Sequence, residues 1–119
     1  MSNQPKLNLG LAEVSFVVLD LHKSLEFYKK LGFEVVEGVL DENWQVVAQN
    51  GFRIGLYQGH INKNLITFFH KDMGAKIKQI EDMGIELDTE VVNEDDGTIG
   101  VTIMDPDGNK IYLNSCEPE

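Results

Sequence analysis

An internal repeat with a spacing of 52 residues constrains this chain more than any other feature of its sequence. Asp20 meets Asp72, Leu21 meets Met73, Leu25 meets Ile77, and Tyr28 meets Ile80. Leu31-Gly32-Phe33-Glu34-Val35 then meets Met83-Gly84-Ile85-Glu86-Leu87. Each copy reads as a capped helix with an apolar stripe, a glycine stop and an immediate turn into a strand. A chain of 119 residues accommodates both copies in a single domain, residues 1–119. Module one is placed at about 9–59 and module two at about 64–115.

The runs between the helices complete the pattern. From Leu11 to Asp20, Val14, Phe16 and Val18 form an apolar face that predicts a covering helix. Glu13, Ser15, Val17 and Leu19 form a partly wet opposite face. Asp20 is the expected helix cap, and Leu21, Leu25 and Tyr28, joined by Phe27 and Leu31, are the expected buried stripe. Strands follow at Phe33–Val39, Trp44–Gln49 and Phe52–Gln58, with Asp41-Glu42-Asn43 and Asn50-Gly51 as turns. Gly59–Lys63 is the linker. The second half repeats the order: strand Leu65–Phe69, helix Asp72–Met83 with stripe Met73, Ile77 and Ile80, and strands Ile85–Val92, Ile99–Met104 and Lys110–Asn114. The acidic run Asn93–Gly97 and Asp105-Pro106-Asp107-Gly108 are turns, while Met1–Leu9 and Ser115–Glu119 read as loose ends. Both halves are βαβββ, and the class is α+β.

Composition narrows the partners. No apolar run reaches the ~20 residues of a bilayer span, and the N-terminus lacks a signal-peptide core. The single cysteine, Cys116, leaves no intrachain disulfide and fits a reducing cytoplasm. Ten basic against twenty acidic residues give a net charge of −10, which repels phosphate backbones and favours a cationic small ligand over nucleic acid.

Val18-Leu19-Asp20, Ser24-Leu25-Glu26-Phe27-Tyr28, Leu31-Gly32-Phe33 and Asp105-Pro106-Asp107-Gly108-Asn109 together resemble the vicinal oxygen chelate superfamily. That superfamily includes glyoxalase I, fosfomycin-resistance proteins, extradiol dioxygenases and bleomycin-resistance proteins. The resemblance covers about Leu9 to Ser115. It implies two βαβββ modules forming a cupped mixed sheet with helices on the outer face, often completed in a dimer. It also implies four metal-ligand positions, which here are Glu13, Gly55, Leu65 and Tyr112. One carboxylate among them is too few to hold a catalytic divalent ion. The expectation is therefore no metal cofactor, with a divalent metal at an atypical site as the alternative. His22, His60 and His70 read as surface residues, and Cys116 has no assignable base.

Strand parity places Glu13, Ser15, Val17, Trp44, Arg53, Tyr57, Leu65, Thr67, Phe69, Lys110 and Tyr112 on the concave face. Glu13, Trp44, Arg53, Tyr57, Phe69 and Tyr112 are the candidate ligand-binding residues, although interior packing competes with that role at Leu65 and Phe69. Glu13 is the expected charge partner of a cationic guest. The expected function is metal-free binding of a small organic molecule, in the manner of bleomycin-resistance proteins. The alternative is a metal-dependent lyase, isomerase or dioxygenase with an atypical site. Open edges on such half-barrels need partners, so a homodimer is expected. Sedimentation equilibrium at micromolar concentration should return the dimer mass, and a monomer mass would count against it.

Overall fold

The computed structural model describes residues 7–93 and 97–116. In chain order the elements are β1 (Leu11–Val17), α1 (Leu21–Lys30), β2 (Glu34–Val39), a 3-10 turn (Leu40–Glu42), β3 (Trp44–Gln49) and β4 (Phe52–Tyr57). They continue with β5 (Leu65–Phe69), α2 (Met73–Asp82), β6 (Val92–Asn93), β7 (Ile99–Met104) and β8 (Lys110–Asn114). The order is βαβββ twice over, an α+β fold. Among the described residues no helix is long and apolar enough to cross a membrane. Two compact units form, one of Ala12–Thr67 and one of the described residues up to Leu11 together with those from Phe68 onward.

In the Ala12–Thr67 unit the strands lie in the order β2-β3-β4-β1. β1 runs parallel to β4, and the other two pairs are antiparallel. Leu21 and Leu25 of α1 bury against Val47, Ile54 and Leu56, with Phe16, Val18, Tyr28 and Phe33 closing around them. α1 therefore seals one face of these strands, and Glu13, Ser15, Arg53 and Tyr57 are left on the other. In the second unit the end of β5 is followed by β8, β7 and β6. There Met73, Ile77 and Ile80 of α2 pack on Val101, Ile103 and Leu113.

The repeat extends to single hydrogen bonds. At the end of α1, Gly32 N–H donates to Lys29 O and Phe33 N–H donates to Tyr28 O. At the end of α2, Gly84 N–H donates to Glu81 O and Ile85 N–H donates to Ile80 O. Both are Schellman closures around a glycine in the left-handed region, with φ of 96° at Gly32 and 86° at Gly84. The starts differ. The Asp20 side chain accepts from Lys23 N–H, whereas that of Asp72 makes no cap bond and its backbone N–H donates to His70 Nδ1.

Several boundaries depart from the sequence reading. β1 stops at Val17, and Leu19 is 96% exposed. Phe27 and Leu31 do not join the buried stripe but are more than half exposed. At about 100° per residue they lie roughly 90–130° around the helix from the Leu21–Leu25–Tyr28 line. Phe27 packs edge-on against Tyr28 instead. The strand expected at Ile85–Val92 shrinks to Val92–Asn93. Thr102 N–H donates to the Thr89 hydroxyl rather than to a backbone carbonyl, and the Asp88 carboxylate pairs with Lys110. The Thr89 hydroxyl thus occupies a ladder position, and the segment meets β7 backbone-to-backbone where Asp88 N–H donates to Thr102 O and again at Val92, which pairs with Gly100. Ser115 is not loose, since it exchanges hydrogen bonds with Ile99 through its N–H and hydroxyl. Residues 1–6, 94–96 and 117–119, which carry parts of the expected arm, acidic turn and tail, lie outside the described residues.

The two glycine stops should respond differently to alanine. Forcing an L side chain into the left-handed region costs about 1–2 kcal/mol at either site. A Cβ on Gly84 meets nothing within 4 Å, but one on Gly32 comes 2.6 Å from Gln49 Nε2. That nitrogen donates to Leu31 O, so its displacement adds about 1 kcal/mol. Urea unfolding should rank Gly32→Ala as the less stable variant, and equal stabilities would contradict this account.

Candidate functional site

The parallel register of β1 against β4 sets the site. It aligns Glu13 with Arg53, Ser15 with Gly55 and Val17 with Tyr57. Glu13 is 2% exposed and Arg53 7%. A carboxylate and a guanidinium this deep need hydrogen-bonding partners, because each loses its water. Arg53 Nη2 donates to Glu13 Oε1 at 3.3 Å and to Glu37 Oε2 at 2.6 Å. Tyr57 OH donates to Glu13 Oε2 at 2.9 Å, and Ser15 Oγ lies 3.5 Å from the same oxygen. Ser15 also shares a 3.2 Å hydroxyl–hydroxyl contact with Thr67, its mate in the repeat. Arg53 Nε is buried with no hydrogen-bond partner among the described residues.

Gly55 explains how Tyr57 reaches Glu13. A Cβ at Gly55 would stand 2.5 Å from Tyr57 Cε2 and 2.7 Å from Glu13 Oε2. The phenol folds back over the strand through space that only glycine leaves open. Across β3 and β4, Trp44 is paired with Tyr57, and their rings are parallel within 5° at 6.1 Å. His60 meets Tyr57 edge-on at 6.4 Å, and its Nε2 bonds Glu42 O.

Of the expected ligand-binding residues, Glu13, Trp44, Arg53 and Tyr57 come together in the Ala12–Thr67 unit. Phe69 and Tyr112 belong to the other unit. Phe69 is half-buried at the end of β5. The Tyr112 ring lies over Gly100, and its hydroxyl accepts from Asn114 Nδ2. Lys110 pairs with Asp88. Sequence reasoning missed Glu37. The β2–β3 register shifts between Val35 and Glu37, which turns Glu37 to the face that holds Arg53. Plain alternation along β2 puts Glu37 on the helix side, and no residue in the run announces the bulge.

Burial pushes the Glu13 carboxyl above its ordinary range, against the lowering pull of the Tyr57 hydrogen bond and the Arg53 charge. Burial, then the neighbouring Glu13 charge, raises the Tyr57 phenol far above its usual value, so it stays a donor. These residues do not fit a divalent metal. Both Glu13 oxygens already accept hydrogen bonds, Gly55 and Leu65 offer no donor atom, and a guanidinium of the wrong sign stands 3.3 Å away. Among the described residues no group of three or more His, Cys, Asp or Glu side chains could hold a metal ion.

Two outcomes follow. Gly55→Ala should destabilise the fold by about 1–3 kcal/mol, as overpacking does, and thermal melts would show it. Because the folded Glu13 binds its proton more tightly than the unfolded chain does, stability falls as pH rises from the ordinary carboxylate value through the raised one. Glu13→Gln should flatten that part of a stability–pH profile, and an unchanged slope would refute the assignment.

No curated protein matches the chain. Among solved structures it is similar to an NAD-dependent benzaldehyde dehydrogenase from Legionella pneumophila, with 22% identity and a TM-score of 0.72. That match covers 89% of this chain and 99% of the other. It is also similar to a glyoxalase/bleomycin resistance protein/dioxygenase superfamily member from Vibrio splendidus 12B01, with 17% identity and a TM-score of 0.65, covering 88% and 97%. A hypothetical protein from Bacillus halodurans C-125 shares 13% identity at a TM-score of 0.66, covering 92% and 95%. At these identities the likeness is one of fold. The model of the Glyoxalase/Bleomycin resistance protein/Dioxygenase superfamily matches residues 10–113, and the chain belongs to that superfamily.

Proposed function

We propose that this protein is a metal-independent binder of small organic molecules, of the bleomycin-resistance kind, working as a cytoplasmic homodimer. The observation that carries the reading is the Glu13–Arg53–Glu37 chain beside the parallel Trp44–Tyr57 pair. Two carboxylates share one guanidinium, so the group holds excess negative charge when both are ionised. Glu13 is enclosed and engaged, whereas the Glu37 side chain is 37% exposed. The charge partner of a guest is therefore Glu37 rather than Glu13. A planar cation lying on the Trp44 and Tyr57 faces gains on the order of 1–2 kcal/mol from the ring quadrupoles. The net charge of −10 draws it in.

Trp44 is the only tryptophan, so its emission reports on the site. Planar cationic compounds should quench it and planar anionic ones should not, with added salt weakening the effect. Glu37→Gln should weaken binding about tenfold, equivalent to ~1.4 kcal/mol. Quenching by carboxylates that survives Glu37→Gln and is lost in Arg53→Ala would reverse the assignment of guest charge.

A further inference from the structure

The internal repeat lets each module serve as a control for the other. Val47 pairs with Ile54 across β3 and β4, and Ile103 pairs with Ile111 across β7 and β8. Both pairs belong to the helix-covered core of their own unit. In module one Phe33 packs against that core and meets Tyr28 edge-on, with ring centroids 5.5 Å apart. The repeat mates of these two rings are Ile85 and Ile80, so module two supplies no aromatic group at either position. Ile80 is buried, but Ile85 is 41% exposed and stands apart from the core cluster.

The space stays open. A cavity of about 730 Å³, within the size range of small-molecule sites, is lined by Ile85, Leu87, Ile103, Met104 and Ile111. It lies wholly within the unit that holds β7 and β8. Its polar lining has one sign: Glu86, Asp88 and Asp105 border it, and no lining residue among those described is basic. Lys110 engages Asp88. Asp105 accepts instead from neutral donors, the Asn109 side chain and the backbone N–H groups of Asp107 and Asn109. Those bonds, that of the Asn109 side chain above all, hold its carboxyl below the ordinary range, so it stays charged.

We propose that this cavity is a second binding site, for a small arylalkylamine. The aromatic part takes the place that Phe33 fills in module one, and the ammonium faces Glu86 and Asp105. Covering Ile85, Ile103 and Ile111 removes apolar surface from water, and the carboxylates at the border exclude an anion of the same shape. The site goes beyond the function proposed above and does not depend on it, since it shares no residue with the Glu37–Arg53 pair or the Trp44–Tyr57 rings.

The probes are 1-naphthylmethylammonium, the neutral 1-naphthylmethanol and the anion 1-naphthylacetate. Each is titrated into the full chain carrying carbon-13 at its isoleucine δ1 methyls, whose shifts give the affinity of this site alone. The ammonium should shift Ile85, Ile103 and Ile111. The alcohol should bind about tenfold more weakly, and the anion should leave the three methyls unmoved. Glu86→Lys, at an exposed position, should weaken the ammonium by about tenfold or more. Ile85→Phe, which restores the ring of module one, should abolish the shifts at Ile103 and Ile111 without lowering the melting temperature. Glu37→Gln should leave the methyl shifts intact, so loss of Trp44 quenching and loss of this site are told apart. The proposal is overturned if the ammonium moves none of the three methyls, if the anion binds as well, or if folded Ile85→Phe keeps the shifts. Should Ile85→Phe fail to fold, Glu86→Lys decides, and an unchanged affinity there overturns the proposal. Shifts of the same methyls on concentrating the free protein would assign the cavity to a second copy of the chain and overturn it as well.

Discussion

Burial of the Glu13 carboxylate forces nearly every other choice in the Ala12–Thr67 unit. At 2% exposure it has lost its water, and the penalty for an ionised carboxylate in that position is several kcal/mol unless donors replace the solvent. Parallel pairing of β1 with β4 brings Arg53 alongside, glycine at position 55 opens the path for Tyr57, and Ser15 stands at the remaining side. Arg53, buried in turn, requires counter-charge of its own, and a bulged edge strand supplies Glu37. The polar face is a chain of mutual obligations that ends at the first carboxylate able to reach water.

The two halves of the chain use one plan with unequal strictness. Their helix ends share both Schellman closures, since a glycine in the left-handed region and the two bonds around it depend only on local sequence. The strand after the helix does not agree. In the first half it pairs with β3 along its length. In the second, the Thr89 hydroxyl takes the place of a ladder carbonyl, and the strand proper begins only at Val92. Duplication preserved what is locally encoded and let diverge what depends on neighbours.

That division also explains what the sequence discloses. β3, β5, β7 and β8 fall where alternation and turn residues put them, because hairpin signals such as Asn50-Gly51 and Asp105-Pro106-Asp107-Gly108 fix strand ends. Parity alone places Glu13, Arg53, Trp44 and Tyr57 on one face. It does not reveal that Glu13 and Arg53 are register partners, because the offset between two parallel strands is settled by tertiary packing. Glu13 therefore reads from sequence as a charge awaiting a guest, when the fold has already given it three donors. Phe27 misleads for a different reason. Its aromatic ring suggests core, but its place well around α1 from the Leu21–Leu25–Tyr28 line leaves it exposed.

The bulge at Val36 carries a consequence for how such a site changes in descent. β2 pairs with β3 on one side only, so an extra residue there disturbs a single ladder. Side chains alternate across a strand, and one inserted residue exchanges the two faces for everything beyond it. The edge strand is thus a parity switch. A one-residue insertion or deletion can deliver a carboxylate to the polar face or withdraw it to the helix side, with no residue type altered and the inner strands untouched. Relatives that keep an arginine at the equivalent of position 53 but shift this bulge would carry the same charges in a different circuit.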